Sequence, residues 1–232
     1  MKPEQKEEIR KELLAIAKKR FEALGKIKLE NLDLNPFLLR LLGLNTPREI
    51  AEFMVSQRTE RGVVTSYGIR IQTIAKVFAT GTGAEGADIM KEKNGKRHYI
   101  QMKAGPNTPN KDLVAMINRL LRGAVRRNRG SVPLLGMTYG KRKRVSSIIQ
   151  RYSEVDWLIG REFWTFISDD DEFAKELFKL IVDVADDVAD AHKEKTYSQR
   201  FQEKVDEVAE EIKKKYGDGG EEMWQKLFED NV

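Results

Sequence analysis

The stretch Gly86–Asn110 reads GADIMKEKNGKRHYIQMKAGPNTPN, and it predicts a tight β-hairpin. Its centre, Asn94-Gly95, is the dipeptide that a two-residue type I′ turn favours, because both turn positions need a positive φ. Folding about this turn places Asp88 opposite Gln101, so a carboxylate and an amide share one face of the two strands. The same register gives three further cross-strand pairs: Lys93 with Lys96, Glu92 with Arg97, and Met90 with Tyr99.

Lys103 extends the polar face of this hairpin. It lies two residues beyond Gln101, and the period of two in a strand keeps both side chains on the same face. The opposite face carries Ile89, Ile100 and Met102, which suits a buried core. The hairpin therefore predicts that an acid, an amide and an amine converge on one patch, opposite side chains that suit a core.

This arrangement carries a family resemblance. Asp88 followed by Gln101-Met102-Lys103 resembles the D…(D/E)-x-K signature of the PD-(D/E)xK nuclease superfamily, and residues 105–112, GPNTPNKD, are similar to the run after the catalytic lysine in a subset of type II restriction endonucleases. The resemblance extends from residues 35–39 through 65–68 to 160–164. It implies an α+β fold with an α/β/α restriction-endonuclease-like core, in which a central mixed β-sheet is flanked by helices and both ends of the chain are helical.

Helical periodicity and capping signals predict the helices in the rest of the chain. A capping box at Thr46 and Glu49 opens one helix, and Thr65 or Ser66 caps the next. The predicted helices cover residues 3–24, 36–42, 47–61, 67–78, 109–128, 173–188, 198–215 and 220–229. Residues 80–87 are expected to form a turn, and core strands are expected within 131–140 and 155–160. Three regions follow: 1–62 as a helical region that the resemblance links to dimerisation, 63–168 as the catalytic and DNA-binding core, and 169–232 as a helical region packed on that core.

Composition and charge narrow the functional classes. The 232 residues include no cysteine, which excludes disulfides and thiolate metal sites. No apolar run approaches about 18 residues, and the N-terminus lacks the apolar core of a secretory signal. Residues 91–151 carry sixteen Lys or Arg against two acids, whereas residues 152–232 carry 23 acids against 11 basic residues. We therefore expect a soluble, cytoplasmic protein whose middle region meets a polyanion.

The predicted helix after Pro109, with Thr108 as its N-cap, carries a basic stripe. Arg119, Arg122, Arg126 and Arg129 recur on one side without interleaved acids, so these like charges repel unless phosphates compensate them. A solvated helix face is the alternative interpretation. Candidate DNA-binding residues are Asn107, Asn110, Lys111, Arg119, Arg122, Arg126, Arg127, Arg129, Lys141, Arg142, Lys143 and Arg144.

The resemblance assigns roles to the polar face of the hairpin. Asp88 is expected to bind Mg²⁺, for which Mn²⁺ substitutes, with the carbonyl of Met102 and the side chain of Gln101 as further ligands. Lys103 is expected to stabilise the developing anion and to position the attacking water; a salt bridge to Asp88 is its alternative role. Ser66 and Gln72 are expected to lie beside the site. Many members of the superfamily carry an active-site glutamate at about the position of Gln72, and an ordinary surface residue is the alternative role of this neutral amide.

Gln101 departs from the family pattern because it is neutral. Three explanations remain open: a natural variant, compensation by the nearby Glu85, or a substitution that inactivates the enzyme. Glu85 is either that compensating catalytic acid or a solvated loop residue. The acidic run 169–172 is expected at a helix N-terminus, where the macrodipole favours negative charge, in preference to a metal cluster.

The resulting hypothesis is a prokaryotic type II restriction endonuclease. By resemblance it acts as a homodimer on short, near-palindromic duplex DNA and is paired with a cognate DNA methyltransferase. A structure-selective repair or junction nuclease and a DNA-binding protein without catalysis are the alternatives.

Overall fold

The computed structural model describes residues 1–107 and 110–232 and has the mixed α+β fold that the sequence predicts. The helices are α1 (Pro3–Gly25), α2 (Pro36–Leu41), α3 (Pro47–Lys76), α4 (Lys111–Arg127), α5 (Ser147–Tyr152), α6 (Arg161–Ser168), α7 (Phe173–Ala191), α8 (Tyr197–Tyr216) and α9 (Gly220–Asn231). The strands are β1 (Gly81–Thr82), β2 (Ile89–Lys93), β3 (Lys96–Lys103), β4 (Val132–Met137) and β5 (Asp156–Ile159). None of the described helices is long and apolar enough to cross a membrane.

The five strands form one sheet in the order β1-β2-β3-β4-β5. The β1, β2 and β3 strands pair antiparallel, and β3, β4 and β5 pair parallel. The hairpin prediction is confirmed: Asn94 and Gly95 have φ values of 52° and 70°, and the register pairs Glu92 with Arg97 and Met90 with Tyr99. The predicted turn over residues 80–87 is wrong in part, because β1 lies within it and pairs with β2.

Helices cover both faces of the sheet. Ile117 and Leu121 of α4 pack in one cluster with Leu135 and Met137 of β4. On the opposite face, Phe163 of α6 lies directly over Gly136, where even one added methyl group would collide with its ring. Since alternate residues of β4 face opposite sides, the sheet is a buried layer between α4 and α6. Both Gln101 and Lys103 have the strand parity of the α4 side.

Helix α3 is one continuous element of 30 residues, so the predicted break between two helices is wrong. The capping box at its start is confirmed, since Glu49 N donates to Thr46 Oγ1 at 3.2 Å and Thr46 N donates to Glu49 Oε2 at 3.0 Å. Hydrogen bonds from the Asn45 backbone and from Thr46 hold the pKa of Glu49 below its usual value. Thr65 and Ser66 sit inside the helix, so neither residue caps a new helix here.

Helix α4 begins later than predicted. Its N-cap is Asn110, whose Oδ1 accepts from Leu113 N at 2.9 Å. The predicted cap, Thr108 and Pro109, lies outside the described residues. Asn110 is therefore a helix cap as well as a candidate DNA contact.

The acidic run 169–172 divides between two helices. Asp169 ends α6 with a left-handed φ of 60° and pairs with Lys91 at 2.6 Å and Lys93 at 2.9 Å. The prediction that the whole run precedes a helix is thus wrong for Asp169, although Glu172 does precede α7. Burial raises the pKa of Asp169, but the hydrogen bonds and charges of Lys91 and Lys93 lower it more, so this pKa lies below its usual value. Lys91 is buried, and Asp169 neutralises it.

The chain forms two compact units that interleave in sequence, whereas the three predicted regions follow one another along the chain. Unit 1 contains residues 1–14 and 67–184, and hence the whole sheet. Unit 2 contains residues 15–66 and 185–232 and is helical. The core of unit 2 includes Leu39, Ile50, Val208, Ile212 and Leu227.

Candidate active site and nucleic-acid interface

Asp88 lies in the bend just before β2 and is tied to β3 from both its backbone and its side chain. Its backbone N–H donates to Ile100 O at 2.9 Å, and its Oδ2 accepts from Met102 N at 2.6 Å. The ladder ends at the Ile89–Ile100 pair, so the expected Asp88–Gln101 pair lies just beyond it. A carboxylate that accepts from a backbone N–H is held in one orientation. Asp88 is therefore fixed beside the strand that carries Gln101 and Lys103.

Gln101 presents a buried side-chain oxygen, Oε1, that has no hydrogen-bond partner. Leaving such an acceptor unpaired costs about 1–3 kcal/mol. Carboxylate, amide and carbonyl oxygens are hard donors of the kind that Mg²⁺ takes, together with waters and a substrate phosphate. The unpaired Gln101 oxygen beside Asp88 and Met102 thus fits a magnesium site. Within residues 1–107 and 110–232, no three His, Asp or Glu side chains cluster to form a metal site of their own.

Lys103 ends β3 and is half-buried. Among the described residues, no carboxylate oxygen lies within 4.0 Å of its Nζ, so the alternative of a salt bridge to Asp88 is wrong. Its strand partner is Met137, at the end of β4. A cationic side chain at this edge of the sheet is available to an anionic substrate.

A buried polar relay holds the backbone that follows Lys103. Thr138 Oγ1 donates to Ala104 O at 2.7 Å, and Thr138 N donates to Lys103 O at 3.1 Å. The hydroxyl of Tyr67 on α3 lies beside the Thr138 side chain, and burial raises the pKa of that tyrosine. The Thr138 carbonyl in turn accepts from Trp164 Nε1 at 2.8 Å. Sequence reasoning missed this relay, although a threonine at the end of a core strand was the available signal.

Gly105, the first residue of the run that resembles the restriction-endonuclease family, is packed under an aromatic ring. A Cβ at Gly105 would lie 2.5 Å from the Oη and Cζ atoms of Tyr139, so only glycine lets that ring approach the backbone. Asn107 is exposed on this segment. Lys111 is exposed too, and its Nζ lies 4.4 Å from the centroid of the Tyr152 ring.

Acidic side chains neutralise part of the basic surface, which lies on α4 and on the segment after β4. Three of its arginines pair with acids from distant parts of the sequence: Arg122 with Glu154 at 2.5 Å, Arg127 with Glu85 at 3.7 Å, and Arg142 with Glu162 at 2.8 Å. The expectation that no acid compensates this stripe is therefore wrong for Arg122. Seven candidate DNA-binding cations are exposed and form no ion pair with a described acid: Lys111, Arg119, Arg126, Arg129, Lys141, Lys143 and Arg144.

Glu85 is exposed on the loop before Asp88. Its carboxylate pairs with Arg127, and the same guanidinium also donates to the Glu85 carbonyl. The loop lies against α4, since a Cβ at Gly86 would be 2.5 Å from Leu120 O. The structure thus turns Glu85 toward the end of α4. Ser66 and Gln72 are half-buried on α3, and their side chains make no hydrogen bond to another described residue.

Comparison with known families bears on this site. A family model described as type II restriction endonuclease EcoO109I matches residues 4–189, which is most of the chain. The chain belongs to this family. The match spans the hairpin, Lys103 and the basic surface. The protein is therefore a type II restriction endonuclease, which is a nuclease that acts on double-stranded DNA. A search of curated proteins finds no significant match.

Proposed function

We propose that this enzyme cleaves both strands of duplex DNA at a short palindromic or near-palindromic sequence by Mg²⁺-dependent phosphodiester hydrolysis. The observation that carries the proposal is the 2.6 Å hydrogen bond from Met102 N to Asp88 Oδ2. It fixes a carboxylate at the same strand end as the unpaired Gln101 oxygen and the Lys103 amine. Those three groups supply oxygen donors and a positive charge at one place.

Each group has a chemical task. Asp88, the Gln101 amide and the Met102 carbonyl would hold Mg²⁺ or Mn²⁺, which when bound neutralises phosphate charge and supplies an activated water. Lys103 stabilises the negative charge that develops on the phosphoryl oxygens and orients the attacking water. The hydrogen bond from Thr138 Oγ1 to Ala104 O fixes the backbone next to Lys103.

The neutral Gln101 lowers the charge of the proposed metal site relative to the family pattern. Asp88 then brings one formal negative charge, and the scissile phosphate brings another when DNA binds. Of the two roles open to Glu85, compensating acid or loop residue, we propose the loop role, because its exposed carboxylate pairs with Arg127. Gln72 and Ser66 are proposed to lie beside the site without contacting the cation.

Duplex DNA is proposed to bind the basic surface. The unpaired cations Arg119, Arg126, Arg129, Lys141, Lys143 and Arg144 contact phosphates, which orient the protein without reading sequence. Asn107, Asn110 and Lys111 follow the catalytic strand and are the candidates for base contacts, together with Arg122, Arg127 and Arg142. A bidentate arginine contact to guanine is worth about 1–3 kcal/mol of discrimination.

A homodimer is proposed because two-fold protein symmetry matches a palindromic duplex. Unit 2 carries an exposed apolar patch that supports this assembly. Phe37 and Leu41 of α2 are 65% and 84% exposed, and Phe37 meets the exposed Phe228 of α9 with ring centroids 5.8 Å apart. We propose that this patch of α2 and α9 joins the two copies in the prokaryotic cytoplasm. A cognate methyltransferase would protect host sites from such an enzyme.

A second candidate function is sequence-specific DNA binding without cleavage, and the neutral Gln101 favours it. One experiment separates the two. Purified protein and its Lys103→Ala variant are incubated with plasmid DNA in Mg²⁺ or Mn²⁺, while duplex binding is measured without metal. The proposal predicts that the wild-type protein cuts and that Lys103→Ala binds equally well but does not cut. Intact plasmid with the wild-type protein, in the presence of tight duplex binding, would favour the second candidate.

A further inference from the structure

A groove of about 590 Å³ runs along the basic side of α4, and a fixed turn forms its other wall. Its lining includes Lys111, Arg119, Arg122, Arg126, Tyr152 and Glu154. Four of these side chains are cations and one is an acid. The sequence provides no local reason for that acid, because Glu154 comes from the turn between α5 and β5.

The turn that carries Glu154 is built rigidly onto α4. The buried side chain of Asn118 donates from Nδ2 to Tyr152 O at 2.7 Å and accepts from Glu154 N at 3.1 Å. A cation–π contact with Lys111 also stabilises the position of the Tyr152 ring. Both sides of a buried amide are thus used to place one backbone segment, so Glu154 starts from a fixed position.

The Glu154 carboxylate lies 2.5 Å from Arg122, and both side chains remain about half exposed. An ion pair in such a position stabilises the fold little, because water screens it. Its stronger effect is on an incoming polyanion. A phosphate that approaches Arg122 must displace the carboxylate and is also repelled by its charge.

We propose that Glu154 competes with the DNA backbone for Arg122 and thereby weakens binding to DNA that lacks the recognition sequence. The inference rests on the proposed function, in which the basic side of α4 faces duplex DNA. A restriction enzyme gains from such a device because sequence-independent phosphate contacts hold it on the large excess of other sites. Glu154 thus increases specificity, because it opposes phosphate contacts to DNA that lacks the recognition sequence.

The size of the effect follows from counterion release. Each additional phosphate neutralised by a cation adds about 0.9 to the slope of log K against log salt. If Glu154→Gln makes Arg122 available for one more phosphate, its advantage over the wild-type protein should grow roughly 3.5-fold between about 200 and about 50 mM salt. Glutamine can still accept from Arg122, so the turn and the groove keep their shape.

The test measures fluorescence anisotropy of a short labelled duplex of mixed sequence, in EDTA, across this salt range. Glu154→Gln should bind tighter by roughly 3-fold or more at the lowest salt, with a steeper salt slope. Glu172→Gln is the matched control, because Glu172 is an exposed acid paired with Arg161 and Lys175 at the start of α7. A second pair of proteins carries Arg122→Gln with and without Glu154→Gln.

Four outcomes are informative. Tighter binding by Glu154→Gln alone, which largely disappears on the Arg122→Gln background, supports the inference. Wild-type affinity and slope in Glu154→Gln, or an equal gain in Glu172→Gln, overturns it while the proposed function stands. Failure of the wild-type protein to bind duplex at low salt overturns the proposed function, and the inference with it. Matching melting temperatures of all variants show that folding is not the cause.

Discussion

The polar relay beside Lys103 gives a quantitative prediction for Thr138→Val and Tyr67→Phe. Thr138 is 5% exposed, its Oγ1–H donates to Ala104 O at 2.7 Å, and the hydroxyl of the half-buried Tyr67 lies beside its side chain. Valine has nearly the same shape and removes only the hydroxyl. Phenylalanine likewise removes only the Tyr67 hydroxyl.

The magnitude follows from what each change leaves unpaired. Ala104 O keeps the N–H of Thr138 at 3.2 Å and the N–H of Tyr139 at 3.3 Å, so Thr138→Val does not strand that carbonyl. It removes one hydrogen bond and places a methyl group beside the Tyr67 hydroxyl, which together should lower the free energy of unfolding by about 1–2 kcal/mol. For a chain of this size the melting temperature should fall by about 2–8 °C.

The double mutant measures the relay itself. Because both changes break the same Tyr67–Thr138 contact, the double variant should lose about 0.5–1.5 kcal/mol less than the two single variants combined. Urea denaturation followed by circular dichroism gives these free energies. Plasmid cleavage should slow in each single variant at unchanged duplex affinity, since the relay fixes the backbone after Lys103. Additive losses of stability, or full cleavage rates in both variants, would refute the relay.

Three further predictions concern individual charges. Asp169→Asn should lower the free energy of unfolding by about 1–3 kcal/mol near neutral pH, because buried Lys91 loses its counter-charge. The folded-state pKa of Asp169 is lowered, so this loss depends on pH. Urea denaturation should show the full difference above about pH 4, and the difference should disappear as the pH falls through the lowered pKa. Glu85→Gln should keep its cleavage rate in a plasmid assay, because that carboxylate pairs with Arg127; loss of cleavage with intact binding would place Glu85 in the site. Gln101→Glu should tighten Mn²⁺ binding by the DNA-free protein by about tenfold, or 1.4 kcal/mol, in paramagnetic resonance titrations; an unchanged affinity would show that this side chain does not face the cation.

Local signals in the sequence predicted the hairpin and most helix ends. Asn94-Gly95 can form its turn with no help from the rest of the chain, and the capping box at Thr46 and Glu49 joins residues three apart. Such features depend on backbone conformation and short-range hydrogen bonds. They can therefore be predicted from the sequence. Because the hairpin was predicted correctly, the position of Asp88 beside the strand of Gln101 and Lys103 was predicted as well.

Features that depend on long-range contacts were not predictable in the same way. Glu154 reaches Arg122 across 32 positions of sequence, and Asp169 reaches Lys91 across 78, so no local pattern marks either pair. The capping signals at Thr65 and Ser66 predicted a helix start, yet α3 continues through both residues. The sequence therefore predicted most of the helices and strands and a set of candidate site residues, whereas the ion pairs Arg122–Glu154 and Lys91–Asp169 appear only in the structure.

The assignment of a metal-dependent, site-specific nuclease is tested by sequencing DNA ends. Plasmid and phage DNA are incubated with the purified protein in Mg²⁺, and all ends produced are mapped. The proposed function predicts discrete fragments whose ends share one short palindromic or near-palindromic sequence, and none with Lys103→Ala. Uncut DNA, or ends scattered without a common sequence, would contradict it.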